Sequence, residues 1–191
     1  MEGRRALGEA PRRAARGGTA GAAKKGPSAA ILDSQSVRTT RRGGVRGYDA
    51  GKKVMGRKRH LLVDTDGLIL KVRVHAADVQ DRDGAALVLD QIDQPLASLE
   101  HLWADGGYAG EKLRAWIRQR FGPRELRLQI VKRSDDASGF EVLPRRWVVE
   151  RTFGWLHNFR RLSKDYEYLT DSSESFILIA ASKILISRLA R

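Results

Sequence analysis

A sheet of mixed strand direction, flanked by helices, is the fold class the sequence predicts. Two patterns point to it. The first half of the folded region carries three strand-like apolar runs separated by turn residues, and the second half alternates strand and helix signals. A meander followed by alternating units is the order of an α/β sheet with both parallel and antiparallel neighbours. At 191 residues the chain is long enough for one domain and its core.

Each element has a local reason. Residues 1–28 are rich in Gly, Ala and basic residues and cannot bury enough apolar surface to offset the entropy of ordering. They are expected to form a disordered basic arm. The folded domain is expected over residues 29–191. "AAILDSQSV" (29–37) is a first strand. "KRHLLVDTDGLILKVRVHA" gives two strands joined at Asp64-Thr65-Asp66-Gly67, a turn-forming set. "DVQDRDGAALVLDQI" is a helix, with Asp78 expected at its N-cap and Asp81 in the first turn. "EHLWADGG" is a short strand running into glycines. "AGEKLRAWIRQRFG" is a helix stopped by Gly122 and Pro123. "LRLQIVKR" is a fifth strand, and "RSDDASGFEVLP" is a loop. "RRWVVERTFGWLHNFRRL" is a helix. "DSSESFILIAASKILISRLAR" is a last one, with Asp171 and Glu174 at capping-box spacing. The ribonuclease-H-like fold, a mixed five-stranded sheet flanked by helices, has this order.

Charge narrows the partners. Lys and Arg number 36 against 23 Asp and Glu, a net charge of +13. That excess favours a polyanion, nucleic acid before an anionic membrane surface. There is no cysteine, so disulfides and thiolate metal sites are excluded. The four histidines lack ligand-like spacing, which argues against zinc. No apolar run approaches the roughly 20 residues of a membrane span, and no signal peptide is visible. A cytoplasmic protein is the default expectation.

Three acids ask for an explanation. Asp33 interrupts an apolar strand, where a carboxylate is costly unless paired. Asp105 stands where a short strand meets glycines, at a strand end of the kind that carries chemistry in α/β sheets. Glu150 lies on a helix. At about 100° per residue it shares a polar stripe with Arg146, His157 and Arg161, opposite Val148, Val149, Trp155, Leu156, Phe159 and Leu162. Ordinary explanations exist for each: an edge-strand Asp33, a turn-starting Asp105, a surface ion pair for Glu150. What would make the three useful together is magnesium, which takes oxygen ligands and offsets their mutual repulsion. Two such ions can activate a hydroxyl and stabilise the leaving oxygen in phosphodiester displacement.

The stretches "ILDSQSVRTT", "GYDAGKKVMGRKRHLLVDTDG", "HAADVQDRDGA", "WADGGYAG", "VKRSDDASGFEVLPRRWVVERTFGWL" and "RRLSKDYE" together resemble the DDE transposases of bacterial insertion sequences, in the group numbered five. The resemblance runs from about Ala29 to the C-terminus. It implies a ribonuclease-H-like catalytic domain, two Mg2+ or Mn2+ ions, and cutting and joining of double-stranded DNA at element ends and target, with a homodimer assembling on the DNA. Its three acids fall on Asp33, Asp105 and Glu150 as catalytic and metal-holding residues. Arg146, four residues before the glutamate, fits the pattern of the broader family. The tyrosine and the basic residue often seen seven positions either side of the glutamate are here Leu143 and His157. Arg38, Lys52, Lys53, Arg57, Lys58, Arg146, Arg151 and Arg161 are the expected DNA contacts, and Trp103, Tyr108 and Trp147 are candidate stacking surfaces, with core packing the favoured reading for Trp103 at least. Full-length relatives carry an N-terminal helical DNA-binding region that is not visible in this sequence. The expectation is therefore a split-gene product or truncated copy with impaired recognition of element ends. The alternatives are an inactive transposase remnant that binds DNA non-specifically and a general ribonuclease-H-like nuclease.

Overall fold

The computed structural model describes residues 26–92, 96–122, 126–131 and 145–190. Its strands are β1 (Ala29–Arg38), β2 (Gly47–Asp49), β3 (Val54–Asp64), β4 (Ile69–Ala76), β5 (His101–Ala104) and β6 (Arg127–Ile130). Its helices are α1 (Asp81–Leu89), α2 (Glu111–Phe121), α3 (Trp147–His157) and α4 (Thr170–Leu189). All six strands form one sheet.

β1 is the pivot of its topology. On one side it pairs antiparallel with β3, from Ala30 opposite Asp64 to Arg38 opposite Gly56. On the other it pairs parallel with β5, which pairs parallel with β6. β4 runs antiparallel to β3 over Arg57–Val63, and β2 pairs with the first residues of β3. An antiparallel meander joined through its first strand to a parallel pair is the ribonuclease-H-like arrangement. The hairpin between β3 and β4 closes as its residues dictate. Asp64 Oδ1 accepts the N–H groups of Asp66 and Leu68 at 2.9 and 2.8 Å, and Gly67 takes φ +84°, a value that suits glycine.

Alternation along β1 sorts its side chains onto two cores. Ala30 and Leu32 pack with Ala85, Val88 and Leu89 of α1 and Leu113 and Ile117 of α2. Ile31 packs with Val148, Val149, Phe153 and Leu156 of α3 and with Ile177 and Ala180 of α4. Asp33 shares the parity of Ile31. The same period that buries Ile31 therefore turns Asp33 toward α3.

Several local expectations are corrected. Among the described residues the sheet has six strands rather than five, because three-residue β2 carries too little pattern to read. α1 begins after Gln80, with no side-chain cap, so Asp78 is not its N-cap. α4 begins after Leu169 and likewise lacks a side-chain cap. The Glu174 carboxylate instead accepts the Val74 N–H at 2.8 Å and pairs with Arg73 at 3.5 Å. A contact with the sheet edge outcompetes the capping box. α3 stops at His157, and a short 3-10 turn follows at Arg160–Leu162. The expected basic arm over residues 1–28 lies outside the described residues except for its last three.

Candidate active site

Asp33, Asp105 and Glu150 come from a strand, a strand end and a helix, and all three face one nitrogen. Arg146 Nη2 lies 3.2 Å from Asp33 Oδ2, 3.6 Å from Asp105 Oδ2 and 3.6 Å from Glu150 Oε1. Two oxygens that close to one nitrogen are separated by no more than the sum of their distances to it. The carboxylates are thus near neighbours although 72 and 45 residues of chain part successive members.

Each acid is positioned by its own element. Asp33 uses Oδ1 to accept the Ser34 N–H at 2.7 Å, leaving Oδ2 for Arg146. Asp105 divides its oxygens the same way. Oδ1 accepts the Gly107 N–H at 2.8 Å and starts the 3-10 turn Gly106–Tyr108, while Oδ2 faces the site. The turn-starting role and the site-facing role therefore coexist in one residue. Glu150 sits one helical turn after Arg146, so the two share a face of α3. Exposure of the side chains rises from 15 % at Asp33 through 34 % at Asp105 to 54 % at Glu150. The site thus has a closed floor and an open helical rim.

Electrostatics follow from that gradient. Burial raises the Asp33 carboxyl to about 6; Arg146 and the Ser34 N–H pull it down, and Asp105 pushes it up. Lys52 adds a cation nearby, its Nζ donating to the Ser34 carbonyl at 3.2 Å. A raised carboxyl that a neighbouring carboxylate raises further is what an added cation would relieve. The donors are hard carboxylate oxygens, which suit magnesium or manganese in kind. Among the described residues, however, no three acidic or histidine side chains are gathered to grip one ion as they stand. The Arg146 guanidinium holds the central place and supplies the positive charge itself.

The expected DNA contacts divide into two groups. Arg38, Lys52 and Lys53 are exposed. Arg161 is exposed and pairs with Glu167 at 2.7 Å. Arg151 is half-buried between Trp147 and Trp155, at 4.4 and 4.5 Å from their ring centres. Arg57 and Lys58 are corrections. Arg57 is 0 % exposed, bound to Asp165 at 3.1 Å and to the carbonyls of Val45, Glu167 and Tyr168. Lys58 is buried against Asp49 and Asp81 and donates to the Val79 carbonyl. Both sit on β3 between neighbouring strands, and neither reaches a phosphate. Trp103 and Tyr108 are buried in the two cores, which removes them as stacking surfaces; Trp147 is 41 % exposed. His157 is exposed at the end of α3. Leu143 lies outside the described residues. Sequence reasoning passed over Ser34, whose hydroxyl donates to Asp81 at 2.8 Å across 47 residues and ties β1 to α1. No local pattern marks so distant a pair.

Fold and side chains together define a ribonuclease-H-like domain in which carboxylates from β1, from the end of β5 and from α3 face the Arg146 guanidinium. The chain matches the transposase DDE domain family over residues 24–185, and it belongs to that family. It is also 32 % identical over 144 residues to a Burkholderia cepacia protein named "Putative transposase for insertion sequence element IS402", covering 71 % of this chain and 65 % of that relative. The matched region thus spans about two thirds of the relative's length.

Proposed function

We propose that this chain is the catalytic domain of a transposase, performing metal-dependent cleavage and joining of DNA strands at Asp33, Asp105 and Glu150. The observation that carries the proposal is the meeting of these three carboxylates at Arg146 Nη2. Carboxylates drawn from three elements gain nothing for folding by crowding together, so a function that needs concentrated negative charge accounts for them.

Asp33, Asp105 and Glu150 would hold two magnesium or manganese ions. When bound, these ions supply charge stabilisation for the attacking and leaving oxygens of an in-line displacement. The chain's own groups do the rest. Asp33, fixed by the Ser34 N–H on a rigid strand, and Asp105, fixed by its turn, hold their oxygens in place without rearrangement. Arg146 offers a guanidinium able to turn from carboxylate to phosphate, both of which match its fork. Glu150, on the exposed rim, completes the ligand set from α3. Element ends and target are the double-stranded DNA substrates of this reading, with a homodimer assembling on them.

The test is magnesium-dependent nicking of duplexes carrying the flanking terminal repeats. Wild-type chain should nick them. Asp33→Asn, Asp105→Asn and Glu150→Gln should each reduce nicking to background while keeping the fold by circular dichroism. Retained nicking in Asp33→Asn would remove the proposed site. Absence of nicking in the wild type, with DNA binding intact, would leave a DNA-binding remnant.

A further inference from the structure

We infer that the segment 39–46 and the connector 163–169 form a second phosphate-contacting surface, which holds duplex DNA about five base pairs away from Asp33. The inference rests on the reading that DNA is the substrate.

The two segments lie side by side at the far end of β1. Thr39 bridges to Asp165 in parallel. The Thr40 N–H donates to the Asp165 carbonyl at 3.3 Å, and the Asp165 N–H donates to the Arg38 carbonyl at 2.8 Å. One buried side chain locks them together. Arg57 Nε donates to the Val45 carbonyl at 2.7 Å, Nη2 to the Tyr168 carbonyl at 2.7 Å, and Nη1 to the Glu167 carbonyl at 3.0 Å and to Asp165. Arg59 does the same from two residues on, donating to the Leu162 and Lys164 carbonyls at 2.7 and 3.1 Å. Burying a guanidinium is expensive, and these two turn most of their donors to backbone carbonyls of the neighbouring segments. What they hold rigid is the outer face.

That face is cationic. Residues 38–53 contain Arg38, Arg41, Arg42, Arg46, Lys52 and Lys53 against the single acid Asp49, and the connector adds Lys164 and two acids that are already engaged, Asp165 buried with Arg57 and Glu167 paired with Arg161. Asp49 is buried and bonded to Ser36 and to the Lys52 N–H. Arg41, Arg42 and Arg46 are exposed, and among the described residues none has an acidic partner. Tyr168, 71 % exposed, is fixed beside them by the Arg57 bond to its carbonyl. A cationic surface on a pre-organised backbone suits a phosphate chain, because little ordering entropy is lost on contact. Its place relative to the triad also favours DNA. Asp33 and Arg38 are five residues apart on one strand, roughly 17 Å at about 3.3 Å per residue. Duplex DNA advances about 3.4 Å per base pair, so a helix laid along β1 from the triad meets this surface about five base pairs on. Lys52, beside Ser34, lies between.

The experiment measures duplex binding by fluorescence anisotropy in EDTA, so that no strand is cut, at a series of salt concentrations. Removing one protein–phosphate contact should flatten the log–log salt dependence by roughly 0.9. The triple variant Arg41→Gln, Arg42→Gln, Arg46→Gln should therefore be shallower by about 2 to 3 and keep the wild-type melting temperature. Duplexes with fewer than about five base pairs on either side of the nick site should already show the shallow dependence. An unchanged slope in the triple variant overturns the inference. So does a variant that loses binding to anionic phospholipid vesicles while duplex binding stays whole. A wild-type chain that nicks nothing, while the triple variant still flattens the slope, leaves this surface standing and removes the catalytic reading. A chain whose nicking depends on Asp33, but whose slope ignores the three arginines, does the reverse.

Discussion

Arg146 and Asp33 meet at 3.2 Å between Nη2 and Oδ2, although 113 residues separate them in the chain. Both side chains are largely buried, at 12 % and 15 % exposure. The contact fastens the start of α3 to the middle of the central strand, and it brings a positive charge to a place where three carboxylates need one.

If Arg146 is the resting counter-charge of the triad, Arg146→Gln should destabilise the metal-free protein by about 3 kcal/mol, the scale for breaking a buried pair. Manganese should then raise the melting temperature of the variant more than that of the wild type, since the ion no longer competes with a guanidinium. Thermal melts with and without manganese decide it. Equal manganese shifts in both proteins would mean that Arg146 does not stand in for the ion.

The buried histidine pair sets a second expectation. His75 Nδ1 donates to the Ala76 carbonyl at 2.8 Å, which leaves Nε2 free to accept from His60 Nδ1 at 2.8 Å. This chain of bonds requires His75 to be neutral, and burial keeps His60 neutral as well. Burial and, next, the neighbouring ring push His60 down to about 3, and burial pushes His75 down as well. Unfolded histidines titrate near 6.5, so the unfolded state takes up more protons below that pH. Stability from the pair is full above about pH 7 and falls as the pH drops. Asp33 opposes this, because its raised carboxyl binds a proton in the folded state from about pH 6 downward. Urea midpoints between pH 7.5 and 5.5 should decline, less steeply in His75→Gln and more steeply in Asp33→Asn. A flat profile in Asp33→Asn, where the opposing carboxyl is gone, would contradict the neutral pair.

Arg57 and Asp165 form an ion pair with 0 % and 1 % of their side chains exposed. Arg57→Gln or Asp165→Asn alone should cost about 3–5 kcal/mol, because each leaves a buried charge without its partner. A double-mutant cycle on urea midpoints should return a strong coupling. Losses below about 1 kcal/mol would place Arg57 back among the solvent-facing cations.

Gly84 offers a test of packing against propensity. Alanine in the middle of α1 is worth up to about 1 kcal/mol in helix formation. Here its Cβ would meet His60 Cε1 at 2.4 Å and His75 Nε2 at 2.6 Å. Gly84→Ala should therefore lower stability by about 1–3 kcal/mol, the range for overpacking. A stabilised variant would show that α1 is free to lift from the sheet.

Element order was legible in the letters of the chain, because alternation along β1 and helical spacing along α3 are local consequences of burying one face. Asp33, Asp105 and Glu150 stood out in the same way. An acid inside an apolar strand, an acid before glycines and an acid on a cationic helix stripe are each visible in a few neighbouring residues. Other features were set by long-range packing. Whether an arginine on β3 faces water or a carbonyl cage depends on segments more than 100 residues away, which is why Arg57 reads as a DNA contact and folds as a buried anchor. The helix caps expected at Asp78 and Asp171 failed for a related reason: the start of α1 and the sheet-edge bond of Glu174 were settled by packing, not by the adjacent residues. The convergence of three carboxylates on one guanidinium is likewise tertiary. It requires β1, β5 and α3 to meet, and the burial of Ile31, Trp103 and Val149 in one core is what brings them there.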